Sequence, residues 1–310
     1  MTATALIGVD WGTTALRAYR LAHDGRLLDC LEAPAGILQV EAGDFEAAFA
    51  RTLAPWLAEL PDTLPVIASG MITSRQGWRE TPYLACPCDV AALADALTPH
   101  RTAAGRRIWF VTGLSRHDSS GTPDVLRGEE TQIVGCLAAG QGDGLFVLPG
   151  THSKWARATG GAIDWFATFM TGELYGALKD HTILGRLMSG DGPAPEAFER
   201  GLRFGLDDGP EAGGLLRRLF SARSLGLFGE VEPAALADYL SGLLIGAEAR
   251  EALAAWPGAG GEGLTLVGQG ALVDRYAKAL DLAGCRTRRA KAEVAADGLF
   301  AIAKAAGLLS

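Results

Sequence analysis

The chain of 310 residues has a formal net charge of -8, with 48% hydrophobic and 21% charged residues. This length and composition indicate a globular protein of about two domains, and the acidic balance argues against nucleic acid or an anionic membrane surface as a partner. No apolar run approaches the roughly 18 residues of a membrane span. The N-terminus lacks a signal-peptide pattern, so we expect a cytoplasmic protein.

The N-terminal stretch predicts a tight hairpin. A strand-like run, Leu6–Val9, leads into Asp10-Trp11-Gly12-Thr13-Thr14 (the first turn, Asp10–Thr14), and a second run follows at once. Gly12 lets a ligand approach the backbone, Thr13 and Thr14 supply donors, and Asp10 is placed to hold Mg²⁺ directly or through water. These features suit the phosphate tail of a nucleotide. An ordinary hairpin, whose Asp and Thr side chains bond their own backbone, is the equally weighted alternative.

The next elements separate the chain from a Rossmann unit. A third strand is predicted over Leu27–Glu32, where a Rossmann unit would already have a helix. Helical periodicity covers residues 44–60, with Asp44 as N-cap and Pro55 as the point where the helix bends or splits. Val66–Ala68 then forms a short buried strand.

A polar loop, Met71–Tyr83, follows that strand. It combines a cation, hydroxyls, glycine and aromatic rings. Because arginine pairs bidentately with a carboxylate and an aromatic ring covers a sugar face, this composition is typical of a loop that binds a small polar acid. The alternative is a long surface loop with one ion pair.

The rest of the first half is predicted to contain a helix over Asp89–Leu97, a strand over Ile108–Val111, a loop over Gly113–Pro123 and a helix over 127–139. The last helix begins with Glu129 and Glu130. The helix macrodipole favours anions in the first turn, which is a sufficient structural reason for both carboxylates. In the functional alternative, one of them faces a cleft as a general base.

The second half of the chain begins like the first. A strand over Leu145–Leu148 leads into Gly150-Thr151-His152-Ser153-Lys154 (the second turn, Gly150–Lys154), and β-like residues resume over Gly161–Phe169. This pattern indicates a weak internal repeat of a phosphate-binding hairpin. Two such turns would clamp a polyphosphate from both sides.

Helices and one further strand complete the second half. Thr171 is the predicted N-cap of a helix, and residues 213–225 form a helix on which Arg217, Arg218 and Arg223 make a solvated face. A loop over Gly258–Gly263 precedes a strand over Leu264–Val267, the turn Gly268-Gln269-Gly270 and a helix over Ala271–Ala283. A strand, a glycine pair and a helix can accept the flat face of a base or ribose without a side-chain clash. Residues 294–309 form a last, Ala-rich helix.

This order of elements resembles the superfamily of sugar kinases, actin and heat-shock chaperone ATPases, whose corresponding pieces are the phosphate-1, phosphate-2 and adenosine motifs. No G-x-x-x-x-G-K-[ST] is present, so the chain is not a P-loop protein. Within the superfamily, the whole chain resembles the 2-dehydro-3-deoxygalactonokinase family. The residues that carry this resemblance are Val9–Thr14, Ser69–Tyr83, Arg127–Gln132, Leu148–Trp155 and Met170–Glu173.

The resemblance implies ATP-dependent phosphorylation of 2-dehydro-3-deoxy-D-galactonate at its 6-hydroxyl, a step of galactonate breakdown. Asp10 would position Mg²⁺ as a catalytic and metal-binding residue, and Arg75, with Arg17 second, would clamp the carboxylate of the sugar acid. The expected nucleotide-binding residues are Gly12, Thr13, Thr14, Gly150, Thr151, Ser153, Lys154, Gly268 and Gly270. The expected substrate-binding residues are Arg17, Ser74, Arg75, Trp78, Glu80 and Tyr83.

The resemblance also implies an α/β fold of two ribonuclease-H-like domains, as in actin-like ATPases, with a nucleotide cleft between them. We expect an N-terminal domain over residues 1–141, a C-terminal domain over 142–293, and a terminal helix over 294–310 that returns to the first domain. The two halves should close on substrate, because open access of water would waste ATP. The sequence specifies no oligomeric state.

The general base that accepts the proton of the acceptor hydroxyl is predicted to be Glu129 or Glu130. Asp118 and Asp124 are the next candidates. The Gly-x-Glu-Glu pattern is similar to that of exopolyphosphatases in the same superfamily, where a glutamate activates water. Many members carry an acidic residue in the phosphate-2 hairpin, where this chain has His152 and Lys154. If Lys154 contacts phosphate, the second metal-linked carboxylate is absent, and Asp10 alone would position the metal. A histidine in a tight turn is more often a structural residue bonded to the backbone than a catalyst, and we expect this of His152.

Three alternatives remain open. A kinase for another 2-keto-3-deoxy sugar acid fits the same pattern, because the gluconate epimer differs at one hydroxyl. A phosphohydrolase of the same superfamily is favoured by the paired glutamates and disfavoured by the polar loop, since water needs no such loop. A non-enzymatic nucleotide switch would need further interaction surfaces.

Overall fold

The computed structural model describes residues 3–190, 192–209, 211, 213–256 and 263–309. The chain divides into two compact units. The first unit comprises Met1–Asp143, Ala156–Phe166 and Lys291–Ser310, and the second comprises Gly144–Trp155 and Ala167–Ala290. The predicted loop over Gly258–Gly263 lies, except for Gly263, outside the described residues.

Groups of strands and groups of helices follow one another along the described chain. The strands are β1 Leu6–Trp11, β2 Leu16–Leu21, β3 Leu27–Ala33, β4 Val66–Ser69, β5 Leu84–Ala85, β6 Thr98–Arg101, β7 Arg107–Phe110, β8 Leu114–His117, β9 Pro123–Leu126, β10 Gly144–Leu148, β11 Ser153–Thr159, β12 Ala162–Phe169, β13 Leu264–Leu266 and β14 Thr287–Arg289. The helices are α1 Phe45–Thr52, α2 Ala54–Leu57, α3 Val90–Asp95, α4 Glu129–Ala138, α5 Thr171–His181, α6 Pro195–Leu206, α7 Leu215–Leu219, α8 Ser221–Leu227, α9 Leu236–Ala255, α10 Gly270–Leu282 and α11 Val294–Ala305.

The first unit is built on a six-stranded sheet in the order β3-β2-β1-β4-β7-β6. β1 pairs antiparallel with β2, which confirms the predicted hairpin, and it pairs parallel with β4. Asp10 lies opposite Arg17 on β2 and opposite Ser69 on β4. Because parallel strands end at the same edge of a sheet, the first turn and the polar loop start from neighbouring positions.

The predicted cap and break after the third strand are confirmed. Asp44 accepts a hydrogen bond from the backbone N–H of Ala47 at 3.0 Å, and the helix is split into α1 and α2 next to Pro55. The predicted loop over Gly113–Pro123 is wrong, because β8 and β9 form a hairpin within a three-stranded sheet of order β5-β8-β9. These strands are short and partly exposed, so they lack the apolar alternation by which a strand is recognised.

A close helix pair supports the segment that carries the paired glutamates. α11 packs on α4 through Gly135 and Gly298: a Cβ at Gly135 would lie 1.9 Å from the Val294 carbonyl oxygen, and one at Gly298 would lie 1.9 Å from that of Thr131. Only glycine permits this approach. The C-terminal helix thereby fixes the position of α4 within the first unit.

A second sheet has five strands in the order β12-β11-β10-β13-β14, of which β10, β13 and β14 lie wholly in the second unit. β13 lies parallel to both β10 and β14. The order is that of β3-β2-β1-β4-β7 in the first unit, with the first strand of each half at the centre. The internal repeat read from the sequence therefore corresponds to a repeated sheet topology.

The helical side of the second unit is packed through small residues and one buried cation. α6 and α9 cross closely, since a Cβ at Gly201 or Gly242 would lie 2.0 Å from a carbonyl oxygen of the other helix. The predicted solvated face of three arginines is wrong for Arg218, which is 1% exposed. Its guanidinium donates to the carbonyl oxygens of Phe204, Gly205 and Asp207 and so caps the C-terminal end of α6. In the described ranges, no helix combines the length and apolar character needed to span a bilayer.

Candidate active site

The first turn is held by main-chain contacts that leave the side chains of Thr13 and Thr14 exposed. The Gly12 N–H donates to the Ala15 carbonyl oxygen at 2.9 Å, and Gly36 fits against the turn so tightly that a Cβ there would lie 2.3 Å from the Thr13 carbonyl oxygen. Thr13 and Thr14 are exposed. The turn therefore presents two hydroxyls on a fixed backbone.

Three segments of the first unit meet beside Asp10. Gly70, at the start of the polar loop, has φ +96°, and a Cβ there would lie 3.2 Å from Asp10 Oδ1. Gly128, just before α4, has φ +106°, and its Cβ would lie 3.1 Å from the Gly70 Cα. Side chains at either glycine would be strained and would push these segments apart. The end of β1, the polar loop and the start of α4 therefore converge at one point.

Asp10 is electrostatically unusual. Burial raises its pKa from 3.8 to about 6; Arg17 opposes this rise, Glu129 adds to it, and a hydrogen bond from the Gln132 side chain opposes it. Sequence reasoning missed Gln132, although it lies one helical turn after the paired glutamates. A buried carboxylate next to a second carboxylate is a group that a cation would stabilise.

The surroundings of Asp10 are compatible with magnesium. The described residues contain no group of three or more His, Cys, Asp or Glu side chains that could hold a metal. Mg²⁺ is commonly bound by one or two carboxylates together with water and substrate phosphate oxygens, so a single aspartate suffices. Ser69 Oγ, at the same edge of the sheet, is buried without a hydrogen-bond partner among the described residues. Polar groups are thus available there for a hydrated ion.

The two candidate bases differ in their environments. Glu130 is 1% exposed, and its carboxylate accepts hydrogen bonds from the Gly128 N–H at 2.7 Å and the Thr131 hydroxyl at 3.1 Å. Burial, followed by repulsion from Glu129, raises the pKa of Glu130 to about 7. Glu129 is partly exposed and accepts from the Arg127 N–H at 2.8 Å. Only Glu129 is therefore accessible to a substrate. The more distant candidate Asp118 closes the β8–β9 turn by accepting from Ser120 and Thr122.

The polar loop is held in place by hydrogen bonds from Arg127, a residue for which the sequence predicted no role. Its guanidinium donates to the Thr73 carbonyl and hydroxyl oxygens, to the Thr81 hydroxyl at 3.0 Å and to the Thr81 carbonyl at 3.2 Å. It also stacks on the Tyr83 ring, 4.2 Å from the centroid, and donates to the Tyr83 hydroxyl at 3.2 Å. Gly77 closes the loop, because a Cβ there would lie 2.1 Å from the Ile72 carbonyl oxygen. The loop therefore has a defined conformation.

The predicted substrate residues of the loop occupy three kinds of position. Arg75 and Glu80 are exposed, and Tyr83 is 42% exposed. Ser74 is 8% exposed, and its hydroxyl accepts from the Gln76 N–H at 3.3 Å. Trp78 packs edge-on against Trp11, His100 and Phe110. The second clamp candidate, Arg17, pairs with exposed Glu32 at 3.0 Å.

The second turn is held against the N-terminal end of α5. A Cβ at Gly172 would lie 2.5 Å from the Gly150 carbonyl oxygen, and the Glu173 N–H donates to the Thr151 carbonyl oxygen at 3.0 Å. The His152 imidazole bonds the Glu173 carboxylate, so its partner is a side chain rather than the backbone. Thr151 is exposed, whereas Lys154 is 7% exposed and donates to the Thr168 hydroxyl at 2.6 Å.

A buried carboxylate, Glu248 of α9, lies behind the second turn and was missed from the sequence. One of its oxygens accepts from the Ser153 hydroxyl and the Trp155 indole N–H, both at 2.7 Å, and the other accepts from the Tyr276 hydroxyl at 2.6 Å. The Thr171 hydroxyl bonds Glu248 as well. The prediction that Thr171 is the N-cap of α5 is wrong, because Thr171 is the first residue of the helix and Met170 occupies the N-cap position. Burial raises the pKa of Glu248. The hydroxyl of Ser153 is thus directed to Glu248 rather than to the outside.

A cavity of about 280 Å³ adjoins this turn within the second unit. Its apolar wall comes from α9 and α10, and its polar groups include Ser241 and Arg275. Gly268 and Gly270, with φ +124° and +77°, form the turn that leads into α10. A cavity with an apolar wall and few polar groups, next to a donor-rich turn, is a suitable site for a ligand with a flat ring and an anionic tail. The residues that line it are Gly150, Thr171, Gly172, Tyr175, Ser241, Leu244, Ile245, Leu272, Arg275 and Tyr276.

Comparison with known proteins decides what kind of enzyme carries this site. A family model for 2-keto-3-deoxy-galactonokinases matches residues 10–302. The chain belongs to this family. The 2-dehydro-3-deoxygalactonokinase of Escherichia coli (strain K12) is 34% identical over 90% of both chains. A Rhizobium meliloti (strain 1021) protein assigned the same activity is 36% identical over 98% of both chains.

A solved structure agrees with this family membership. The crystal structure of a Sinorhizobium meliloti protein assigned as a 2-dehydro-3-deoxygalactonokinase has a TM-score of 0.85 and 34% identity, covering 97% of this chain and 98% of that chain. The family read from the sequence motifs is confirmed. As a member of the 2-keto-3-deoxy-galactonokinase family, the chain is a carbohydrate kinase, an enzyme that transfers a phosphoryl group from ATP to an alcohol group.

Proposed function

We propose that this kinase phosphorylates 2-dehydro-3-deoxy-D-galactonate at its 6-hydroxyl, with ATP and Mg²⁺, in galactonate breakdown. The observation that carries the proposal is the meeting of the first turn, the polar loop and the start of α4 around Gly70 and Gly128. This meeting brings the Asp10 carboxylate, the start of the polar loop and the start of α4, which carries the accessible Glu129, close together. A phosphohydrolase would have no use for the loop.

In the first unit, Asp10 would hold Mg²⁺, which supplies charge neutralisation at the transferred phosphate when it is bound. Thr13 and Thr14 donate hydrogen bonds to phosphate oxygens. Glu129 accepts the proton of the 6-hydroxyl as that oxygen attacks the γ-phosphorus of ATP and ADP departs with the bridging oxygen, because Glu129 is accessible while Glu130 is buried. Glu130 instead holds the start of α4 through its bond from Gly128.

The sugar acid lies along the polar loop. Arg75 pairs with the carboxylate of the acid, with Arg17 as the second candidate, since an exposed guanidinium can form two parallel hydrogen bonds to a carboxylate. Ser74, Glu80 and Tyr83 bind hydroxyl groups, and Trp78 supplies the apolar side of the site. Arg127 keeps these side chains in place from beneath the loop.

The second unit binds the nucleotide. The backbone of the second turn and the Thr151 hydroxyl donate to phosphate oxygens, and Lys154, together with Ser153, supports the turn from its buried side. The adenosine moiety enters the 280 Å³ cavity, one wall of which is α10, the helix that follows Gly268 and begins at Gly270. The repeated strand order supports the assignment of both units to the ribonuclease-H-like domains of actin-like ATPases.

A coupled assay for ADP formation tests the proposal. The purified enzyme is incubated with ATP and Mg²⁺ and with a panel of six-carbon 2-keto-3-deoxy acids that includes the galactonate and gluconate epimers. We expect the highest kcat/KM with the galactonate epimer and product phosphorylated at O6, which mass spectrometry and NMR identify. Release of inorganic phosphate at the same rate without any sugar acid would refute the kinase mechanism. A preference for the gluconate epimer would reassign the substrate.

A further inference from the structure

Three separate elements of the second unit direct four hydrogen-bond donors to one buried carboxylate. Glu248 is 3% exposed and lies on α9. Its donors are Ser153 and Trp155 on β11, Thr171 at the start of α5, and Tyr276 on α10. A carboxylate has about four acceptor sites, so this set satisfies it fully. Burying a charged group without such compensation would be strongly unfavourable.

The same donors adjoin the proposed nucleotide site. Thr171 and Tyr276 line the 280 Å³ cavity, and Ser153 belongs to the second turn. Each is buried, with exposed fractions of 9%, 1% and 0%, so none can be repositioned without disturbing its neighbours. The Gly150–Gly172 approach then transmits the position of α5 to the backbone of the second turn. Glu248 thus does not line the cavity, but it is hydrogen-bonded to residues of the second turn, α5 and α10, segments that do.

We propose that Glu248 is a positioning residue for ATP, fixing the second turn, the start of α5 and α10 in the arrangement that binds the nucleotide. The proposal rests on the assignment of the second turn and the adjoining cavity to ATP. Glu248 does not touch the nucleotide; it orients the hydroxyl protons of Ser153, Thr171 and Tyr276 toward itself. Phosphoryl transfer depends mainly on positioning, so the effect of losing this carboxylate falls on the nucleotide and not on the sugar acid.

The variant Glu248→Gln isolates this role because glutamine has the same shape. The Trp155 indole N–H can only donate, so the amide oxygen must face Trp155 and Ser153, which leaves the NH₂ group facing Tyr276. The Tyr276 hydroxyl then becomes an acceptor and its proton loses its partner. We expect the KM for ATP to rise at least about tenfold and the KM for the sugar acid to change by less than about twofold. The enzyme should stay folded, and thermal unfolding of the second unit should remain one cooperative transition.

Two further variants control for folding and for charge. Tyr276→Phe removes one hydroxyl and leaves the carboxylate, so it should raise the KM for ATP in the same direction by a smaller factor. Glu251→Gln removes a negative charge from the exposed side of the same helix and should leave both KM values unchanged. Equal rises in both KM values, together with a lower melting temperature, would show a purely structural role and overturn the proposal.

Thr151→Val separates this proposal from the site on which it rests. If Thr151→Val raises the KM for ATP and Glu248→Gln does not, the second turn binds phosphate but Glu248 does not position it, and the proposal is overturned alone. If Thr151→Val and Glu248→Gln both leave the KM for ATP unchanged, the nucleotide assignment fails and the proposal falls with it. Binding of MgADP, measured by the shift in melting temperature, should follow the same order as the KM values for ATP.

Discussion

Arg127 offers a sharp test of how the sugar-acid site is built. Its guanidinium reaches Thr73, Thr81 and Tyr83 with hydrogen bonds and stacks on the Tyr83 ring, and the residue is 9% exposed. Arg127→Lys keeps the charge but replaces a planar fork of five donors by a single ammonium group. The ammonium cannot reach both ends of the polar loop at once, so at least two hydrogen bonds and the stacking contact are lost.

The expected magnitude follows from those contacts. Hydrogen bonds to a charged group are worth about 1.5–3 kcal/mol each, so two of them bring the loss in loop stability to about 3 kcal/mol or more. A binding site that is ordered only part of the time has an apparent Kd larger by the inverse of its populated fraction. If even half of this lost free energy shifts the loop from its ordered state to a disordered one, the KM for the sugar acid rises by at least about tenfold. The KM for ATP should change by less than about twofold.

Steady-state kinetics with each substrate varied in turn measure both constants. Arg107→Lys is the matched control, because Arg107 is an exposed arginine of the same unit that stacks on Trp109 at 5.8 Å. It should leave both KM values at the wild-type level. A fall in melting temperature for Arg127→Lys with no change in the KM for the sugar acid would refute the argument that Arg127 shapes the substrate site.

Three further outcomes are expected. Arg75→Ala should raise the KM for the sugar acid far more than that for ATP, and a kinetically silent variant would show that the carboxylate clamp is misplaced. Asp10→Asn should abolish turnover yet stabilise the metal-free protein, because the folded-state pKa of Asp10, about 6, exceeds the ordinary 3.8 and ionisation of Asp10 therefore opposes folding. The gain in unfolding free energy should grow from pH 4 to 6 and level off near 3 kcal/mol at most. No gain at any pH would show that burial does not raise the pKa of Asp10. Gly172→Ala should raise the KM for ATP, since its Cβ would meet the Gly150 carbonyl oxygen at 2.5 Å, whereas Gly176→Ala in open space on the same helix should not.

The local elements of this fold could be predicted because their signals are local. The first hairpin, the cap at Asp44 and the break beside Pro55 each depend on residues within a few positions of one another. The β8–β9 hairpin was missed because its strands are short and polar, and its turn is closed by Asp118 rather than by an asparagine–glycine or aspartate–glycine pair.

The supports of the site could not be predicted because their partners are distant in sequence. Arg127 meets Thr73, 54 positions earlier, and Glu248 meets Ser153, 95 positions earlier. A hydrophobic pattern gives no reason to expect a charged side chain inside, and Arg218 was misread as solvated for the same reason. The residues predicted to bind ligands, such as Thr13 and Arg75, belong to short motifs that can be recognised in the sequence. The residues that hold those motifs in place belong to no such motif.

In both units, a segment that we propose to bind a ligand is supported by a buried charged side chain. In the first unit, buried Arg127 makes several hydrogen bonds to the polar loop. In the second unit, buried Glu248 bonds the second turn through Ser153 and bonds the elements around it through Trp155, Thr171 and Tyr276. Each buried charge carries a desolvation cost that only a complete set of hydrogen bonds offsets, so a shift of the bonded elements would break hydrogen bonds that the buried charge needs. A kinase gains from this arrangement because phosphoryl transfer requires little covalent chemistry from the protein and much preorganised positioning. The energetic cost of burying two charges is therefore better explained by precision at the substrates than by stability of the fold.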